Sequence, residues 1–436
     1  MVSGFVAQWQ SASFTSKRSE VQIFSDPLVK QILKQTSWLV LAQTFTRIVG
    51  FFYTIFLAKS LGVGDFGLFS VGLAYFSIIS GVSDFGFNRY LIREISKEEG
   101  QKWELVCNLL MLRLTIVSIF FGIFSLILYS FDQDKMRVSV ILLSSLAILP
   151  QTVGLTFDGV FVALRRLQFS ALVAVISSLA TVSIGVFLLS HGFAVYGAVN
   201  ALVLGQLIFA LTFLLMFGLH IGIKLSEVKL ALIKKALVGS LPYGLLGILG
   251  LLYFRIDTVM LSYLRGNFET GIYGVSYRFL EAVTLIPSAF SSALFPILSK
   301  LHQTKSKIEM RNLYLTSIKI MGFTGFLITL VFLVLISWAI RLFMPNFLQA
   351  LDVIKILSLS IPLMFMTAPG VQVMFSTDKY LKTVLFLSIF TLGFNVLLNL
   401  ILIPRFGVWA AAWVTVLSDL LSFIIFYFFI KIKILN

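Results

Sequence analysis

The sequence predicts an all-α polytopic membrane protein of about 12 transmembrane helices, and three observations carry that prediction. Of its 436 residues, 58% are hydrophobic and only 12% are charged, against roughly 45–50% and about 25% in soluble chains. Mean hydropathy is +0.99, and 44 of the residues are Phe. The apolar residues also come in long runs, not in the short alternating segments of a β-barrel. A water-facing fold cannot hide this much apolar surface. Soluble enzymes, disordered chains and coiled coils are therefore excluded.

Twelve runs are long enough to cross a hydrocarbon core of about 30 Å at ~20 residues each. They lie near 37–60, 66–88, 105–130, 138–163, 168–190, 195–219, 239–264, 271–297, 317–343, 352–376, 382–403 and 408–430. Their orientation follows from the 34 Lys and Arg, because positive loops stay cytoplasmic. With the N-terminus inside, about two thirds of these residues fall in inward segments. The outward segments hold only Lys59, Lys135, Arg137, Arg265, Arg341 and Arg405. Both termini are therefore expected in the cytoplasm. The net charge of +15 is explained by this topology, and no basic–aromatic cluster points to nucleic acid as a partner. The outward loops are short and leave no room for an external catalytic domain.

The segment 219–238, LHIGIKLSEVKLALIKKALV, is the longest polar interruption in mid-chain. It divides the spans six and six. The expected organisation is an N-terminal tail over 1–36, an N-lobe over 37–219, a cytoplasmic linker over 220–238 and a C-lobe over 239–436. The linker is either an amphipathic surface helix or a solvated connection. A weak repeat supports the division: DFGLFSV at 65–71 can be laid over ETGIYGV at 269–275, which places Gly67 on Gly271 and Phe69 on Tyr273. Each stretch opens the second span of its half. With six spans per half the repeat is parallel, an arrangement seen in transporters that bind cargo between rocking halves.

Residues 1–25 are unlike the rest. Glu20-Val21-Gln22-Ile23 can be encoded by GAG GTT CAA ATC, which resembles the T-arm of a transfer RNA gene. The expectation is a mis-called start reading through such a gene; the alternative is an ordinary disordered tail. The stretch is not a signal peptide, because no apolar core precedes residue 37.

Polar residues at bilayer depth are costly, from ~2.5 kcal/mol for an ionisable group, and so are informative. In the first span Gln43, Arg47, Gly50 and Thr54 form one helical stripe. Two uses are open to Arg47: it meets an anion in a water-filled cavity, or it satisfies a neighbouring helix or the interface. In the seventh span Arg255 and Asp257 are two residues apart and so point about 200° away from each other. Arg255 shares a stripe with Thr258 and Ser262, which suits a cavity-facing position. Asp257 faces a different partner, as a structural salt bridge or a coupling-ion site; the two assignments can also be reversed. Pro242, Gly244, Gly247 and Gly250 can bend this span or admit another helix closely. In the eighth span Tyr277, Glu281, Thr284 and Ser288 form a further stripe with Arg278 at its edge. Arg278 and Glu281, at i and i+3, can simply pair. Asn395 and Asn399 sit one turn apart, where interhelical hydrogen bonding outweighs binding of sugar hydroxyls. No role is assigned to Asp84, Asp158 or Asp419.

Nothing in the sequence calls for a cofactor or for enzymatic chemistry. The three His are scattered without metal spacing, Cys107 is the single cysteine, and no Walker motif or nucleophile–base pair stands out. Energy would come from an ion gradient, the membrane potential or the gradient of the cargo itself.

LAKSLGVGDFGLFS (57–70), SDFGFNRYLIREIS (83–96), LPYGLLGILGLLYFRIDTVMLSYL (241–264), GIYGVSYRFLEA (271–282) and SALFPILSK (292–300) together resemble Wzx-type flippases. These are polysaccharide biosynthesis proteins of the MOP superfamily, which also includes MurJ and the MATE exporters. The resemblance covers most of the chain from about residue 30 and rests on the order and spacing of the motifs. It implies two six-helix lobes around a central cavity, and alternating access for a polyprenyl-pyrophosphate-linked oligosaccharide used in cell-surface polysaccharide synthesis. It further implies a prokaryotic cell membrane, H+ or Na+ coupling, and glycan polymerase or glycosyltransferase partners. Cavity cations are expected to hold the pyrophosphate, and by position these are Arg47, Arg89, Arg93, Arg255 and Arg278, beside Gln43 and Tyr277. Arg89 and Arg93 also suit mere interface anchors. Asp257 and Glu281 are the coupling or structural charges. No added thirteenth or fourteenth span is expected, unlike in MurJ. Two other readings remain: a MATE-like exporter of small cations, whose cavity would favour acidic and aromatic groups, and a membrane scaffold of a glycan-assembly complex.

Overall fold

The computed structural model describes residues 27–97, 102–221, 229–303, 306–376 and 380–435. The proposed mis-called start lies outside the described residues. The fold is all-α, with about 12 transmembrane helices in two six-helix lobes around a central cavity. Eleven described helices are long and apolar enough to cross a membrane, and the first of them holds two spans. Pro27–Asp84 contains 58 residues, or ~87 Å at 1.5 Å per residue, nearly three times a hydrocarbon core. The chain turns at Gly62, with φ 72° and ψ −179°, a backbone region essentially reserved for glycine. Spans 1 and 2 are the two arms of this turn.

Three other spans are also broken. Span 4 is Lys135–Leu146 and Ile148–Ala163, span 8 is Asn267–Val283 and Leu285–Gln303, and span 10 is Ala350–Ser358 and Ser360–Phe375. Span 3 is Lys102–Phe131, span 5 Leu167–Ser190 and span 6 Ala194–His220. Span 7 is Leu230–Leu264, span 9 Lys307–Phe343, span 11 Leu381–Phe406 and span 12 Val408–Ile430. The helix of span 1 begins at Pro27, upstream of the expected entry at 37, and Pro suits a first helical turn because its missing N–H has no partner there anyway. The 220–238 connection is likewise shorter than expected. Residues 222–228 lie outside the described residues, and from Leu230 the helix runs unbroken into span 7.

The sequence repeat has a direct structural counterpart. The register that lays Gly67 on Gly271 also lays Gly62 on Gly266, and Gly266 has φ 83° and ψ −175°. Both halves thus turn from their first span into their second through the same glycine conformation. The paired glycines then meet. A Cβ on Gly67 would strike the carbonyl of Asn267, and a Cβ on Gly271 would strike the carbonyl of Val63. Val63 and Asn267 are each four residues before the glycine of their own half. This reciprocal contact is what a two-fold axis between the halves produces, and it brings the backbones of spans 2 and 8 together.

The lobes also touch at the opposite, basic-loop end. Span 2 stops at Asp84, and the corner Phe85-Gly86 has positive φ at both residues, 36° and 74°. It leads into the short helix Phe87–Lys97, which buries Phe87, Tyr90, Leu91 and Ile95. A Cβ on Gly86 would lie 2.8 Å from the Gly244 nitrogen and the Ser240 carbonyl of span 7, and one on Gly244 would lie 2.6 Å from the Phe85 carbonyl. Close approach is therefore the structural use of Gly244, whereas Gly247 and Gly250 face open space.

Candidate functional site

Span 7 carries Arg255 and Asp257 on opposite faces, and the packing of spans 1, 8, 11 and 12 around it gives each of these charges its own surroundings. On one face Arg255 reaches span 8, where Nη2 lies 2.7 Å from Glu281 Oε1. Arg278 Nη1 lies 3.4 Å from the other oxygen of the same carboxylate. From span 1, Arg47 Nη1 donates to the Glu281 main-chain carbonyl at 3.4 Å. Three guanidinium groups thus converge on Glu281 across the lobe interface, two on its carboxylate and one on its main-chain carbonyl, leaving a formal charge of +2. Arg47 and Arg278 border a 220 Å³ cavity, which Gly50 and Thr54 of span 1 and Glu281 and Ala282 of span 8 also line. The Nε of Arg255 is buried and has no acceptor among the described residues. A buried donor normally has a partner, and this one departs from that rule.

On the other face Asp257 is 3% exposed and lies wholly within the C-lobe. Its Oδ2 accepts from Tyr273 Oη and Thr415 Oγ1, both at 2.8 Å, and its Oδ1 accepts from Asn399 Nδ2 at 2.7 Å. Asn399 Nδ2 also donates to Asn395 Oδ1 at 3.1 Å. Every one of these partners is neutral. Asn399 is fully buried and its Oδ1 has no donor among the described residues. Asp257 is thus a buried carboxylate held by neutral groups alone, beside an amide oxygen with no donor among the described residues.

Span 8 joins the two centres. Tyr273, Tyr277 and Glu281 recur at i, i+4 and i+8 on one helix face. Tyr277 is buried and stacks on Tyr273 at 5.5 Å between ring centroids, while Tyr273 holds Asp257 and Glu281 holds the arginines.

A wider chamber of 640 Å³ opens toward the basic-loop end, lined by Arg89, Tyr243, Phe254, Ser288, Ser291 and Gln372 among others. Arg89 stands over the Tyr243 ring at 5.9 Å. The remaining residues singled out from the sequence lie elsewhere. Gln43 is exposed on span 1 and does not line the arginine-bordered cavity. Arg93 pairs with Glu94 at 3.1 Å and is 49% exposed.

Two buried networks were not singled out. Arg113 of span 3, 1% exposed, donates to Thr156 Oγ1 at 2.9 Å and to Asp84 Oδ1 at 3.2 Å. Asp419 of span 12 accepts from Tyr253 Oη at 2.7 Å. Their mark in the sequence is the same as that of Arg47 and Asp257, an ionisable residue well inside an apolar run. Arg113 satisfies it as well as they do, and Asp419 lies one turn from Thr415.

Known proteins fit this geometry. A model of the polysaccharide biosynthesis protein family matches residues 32–302, and a MatE model matches 242–401. A probable flippase, AglR of Haloferax volcanii, is 26% identical over 183 residues, which is 40% of this chain and 37% of that protein. The match thus spans little more than a third of the relative's length. Among solved structures, the lipid II flippase MurJ in an inward closed conformation superposes with a TM-score of 0.69 at 16% identity, over 90% of this chain and 87% of MurJ. An inward-facing multidrug resistance MATE transporter of the MOP superfamily superposes with a TM-score of 0.63 at 16% identity, over 87% of this chain and 94% of that one. The likeness to solved structures concerns the fold, and the family match covers well over half of the sequence. The chain belongs to the polysaccharide biosynthesis protein family.

Proposed function

We propose that this protein is a flippase that moves a polyprenyl-pyrophosphate-linked oligosaccharide across a prokaryotic cell membrane for cell-surface polysaccharide synthesis, with both termini in the cytoplasm. The observation that carries the reading is the convergence of Arg47, Arg255 and Arg278 on the lobe interface, with net positive charge and an unfilled buried donor on Arg255. A pyrophosphate head cannot cross hydrocarbon unaided, and guanidinium groups match phosphate oxygens in shape and charge. The Glu281 carboxylate pairs with Arg255 and Arg278, and an arriving pyrophosphate competes with it. The chamber beside Arg89 offers hydroxyl and aromatic groups suited to sugars. The lipid tail stays in the bilayer while the lobes rock.

Asp257 supplies the coupling site for H+ or Na+. Charge neutralisation there acts on Tyr273, and through span 8 on Glu281, so cation and cargo bias the same helix. The assembly enzymes that make and consume the glycan, a glycosyltransferase and a polymerase, are the partners this activity requires.

The test is translocation of a labelled polyprenyl-pyrophosphate oligosaccharide in liposomes holding the purified protein. Arg255→Ala is expected to lower the rate at least about tenfold, equivalent to ~1.4 kcal/mol of lost head-group binding. Movement equal in wild type and variant would discard the arginine site and keep the flippase. The MatE match over 242–401 favours a second reading, an exporter of small cations. Efflux of a cationic dye with no movement of lipid-linked glycan would establish it. The scaffold reading would be favoured by a stable stoichiometric complex with a glycan enzyme and no transport of either cargo.

A further inference from the structure

Polar residues line three adjacent helices of the C-lobe below Asp257. Span 11 presents Ser388, Thr391, Asn395 and Asn399 at helical spacing, and span 12 presents Ser422, Asp419 and Thr415. Span 7 presents Tyr253 and Asp257, one turn apart. Thr391, Asn395, Asn399, Thr415 and Asp419 are all buried. The stripes are linked at two levels: Tyr253 Oη donates to Asp419 at 2.7 Å, and Asp257 binds Thr415 and Asn399 about one turn, or ~6 Å, further along. The opposite end of the stripes enters a separate cavity of 200 Å³, lined by Tyr253, Ser388, Thr391 and Ser422 together with Gly250 and Phe375. That volume is ample for several waters. Phe375 ends span 10 and Val384 stands near the start of span 11, so the cavity lies toward the basic-loop end.

Such a column is expensive inside a membrane lobe. Packing alone does not call for a second carboxylate there, and Asp419 has no Lys, Arg or His within ion-pair distance among the described residues. The arginine cavity between the lobes is separate and has no lining residue in common with this one.

We propose that the column from the C-lobe cavity through Tyr253 and Asp419 to Asp257 is the route by which a monovalent cation, H+ or Na+, reaches and leaves Asp257 from the basic-loop side. Asp419 is a waystation whose negative charge shortens the step between the hydrated cavity and the final site, and Tyr253 orients its carboxylate. The inference rests on the reading of Asp257 as the coupling site. It adds a direction of access and a second carboxylate to that reading.

The experiment uses the full-length protein in oriented proteoliposomes. Equilibrium binding of 22Na+ is measured alongside charge-displacement currents after a Na+ jump, and after a pH jump in Na+-free medium. The two kinds of jump distinguish the ions. Asp419→Asn and Tyr253→Phe are expected to keep equilibrium cation binding within about threefold of wild type. Both should slow the current at least about tenfold when the jump is on the basic-loop side. Asp257→Asn should lose both signals. Wild-type rates in both Asp419→Asn and Tyr253→Phe would overturn the route and leave Asp257 standing. Loss of equilibrium binding in Asp419→Asn would make that residue a ligand and would also overturn the route. Retention of both signals in Asp257→Asn would overturn the coupling site itself.

Discussion

The first half of the chain buries a cation with its counter-charge, and the second half buries an anion without one. Arg113, 1% exposed, has Asp84 at 3.2 Å and Thr156 at 2.9 Å. Asp257, 3% exposed, has Tyr273, Thr415 and Asn399, all neutral. The halves share a turn, a register and a reciprocal glycine contact, so the difference does not come from the backbone. A buried ion pair is a closed unit whose disruption leaves one charge stranded. A lone carboxylate among neutral hydroxyl and amide groups is open to a cation. The N-lobe network is thus a closed ion pair, whereas the C-lobe network leaves its carboxylate among neutral groups, which suits the exchange proposed above.

The largest expected effect comes from breaking the closed unit. Arg113→Leu should destabilise the protein by ~3 kcal/mol, at the low end for a broken buried pair because Asp84 is partly exposed and can be hydrated. Thermal unfolding in detergent checks this, and an unchanged Tm would remove the structural role. Next is the shared axis. Gly67→Val and Gly271→Val should each cost ~1–3 kcal/mol through forced separation of the spans, and their penalties should match within ~0.5 kcal/mol. A large inequality would show that the contact is not symmetric in energy. Smaller still is the effect of Asp257→Asn on stability, expected within about 1 kcal/mol of wild type because an amide retains much of the hydrogen-bonding capacity without burying a charge. A loss as large as that of Arg113→Leu would erase the contrast between the lobes.

The smallest effect lies outside the spans, at the end opposite the basic loops. Asp132 holds Arg137 at 2.6 Å, and Arg137 crosses to the C-lobe, donating to the Ser262 carbonyl at 3.1 Å and covering the Tyr263 ring at 4.3 Å. The hydrogen bond from Arg137 lowers the Asp132 pKa below its ordinary value. A carboxyl whose folded pKa is depressed stabilises fully above the unfolded value, about 3.9, and loses that contribution as pH falls through the folded pKa. The Tm difference between wild type and Asp132→Asn should therefore be constant at neutral pH and shrink only below about pH 4. A difference that grows on acidification would contradict a stabilising role for the Asp132–Arg137 pair.

Much of the fold was legible in the sequence. Hydrocarbon forces each crossing to satisfy its own backbone in a helix, so run length alone located the twelve spans. The break at Gly62 and its twin at Gly266 follow from a conformation open to few residues other than glycine. The arginine-bordered cavity was legible only in part. The cost of burial marked Arg47, Arg255, Arg278 and Glu281, but spacing along one helix allowed Glu281 to pair with Arg278 alone. Packing of spans 1 and 7 against span 8 brings in Arg255 at the shorter distance and Arg47 as well. Gln43 lies on the same stripe as Arg47 and still falls outside the cavity, exposed on span 1.

By itself, then, the sequence determined the helical class, the span positions, the repeat and the residues that are costly to bury. Each of these depends on composition or periodicity over a few turns of chain. Only the tertiary structure decided which buried groups meet. Asp257 and Asn399 are 142 positions apart and Tyr253 and Asp419 are 166 apart, and no local pattern records the rotation of one helix against another. That rotation left Asp257 among neutral partners, gave Arg113 its carboxylate and set three arginines around Glu281. In a low-dielectric interior, the identity of the neighbour separates a structural charge from an exchangeable one.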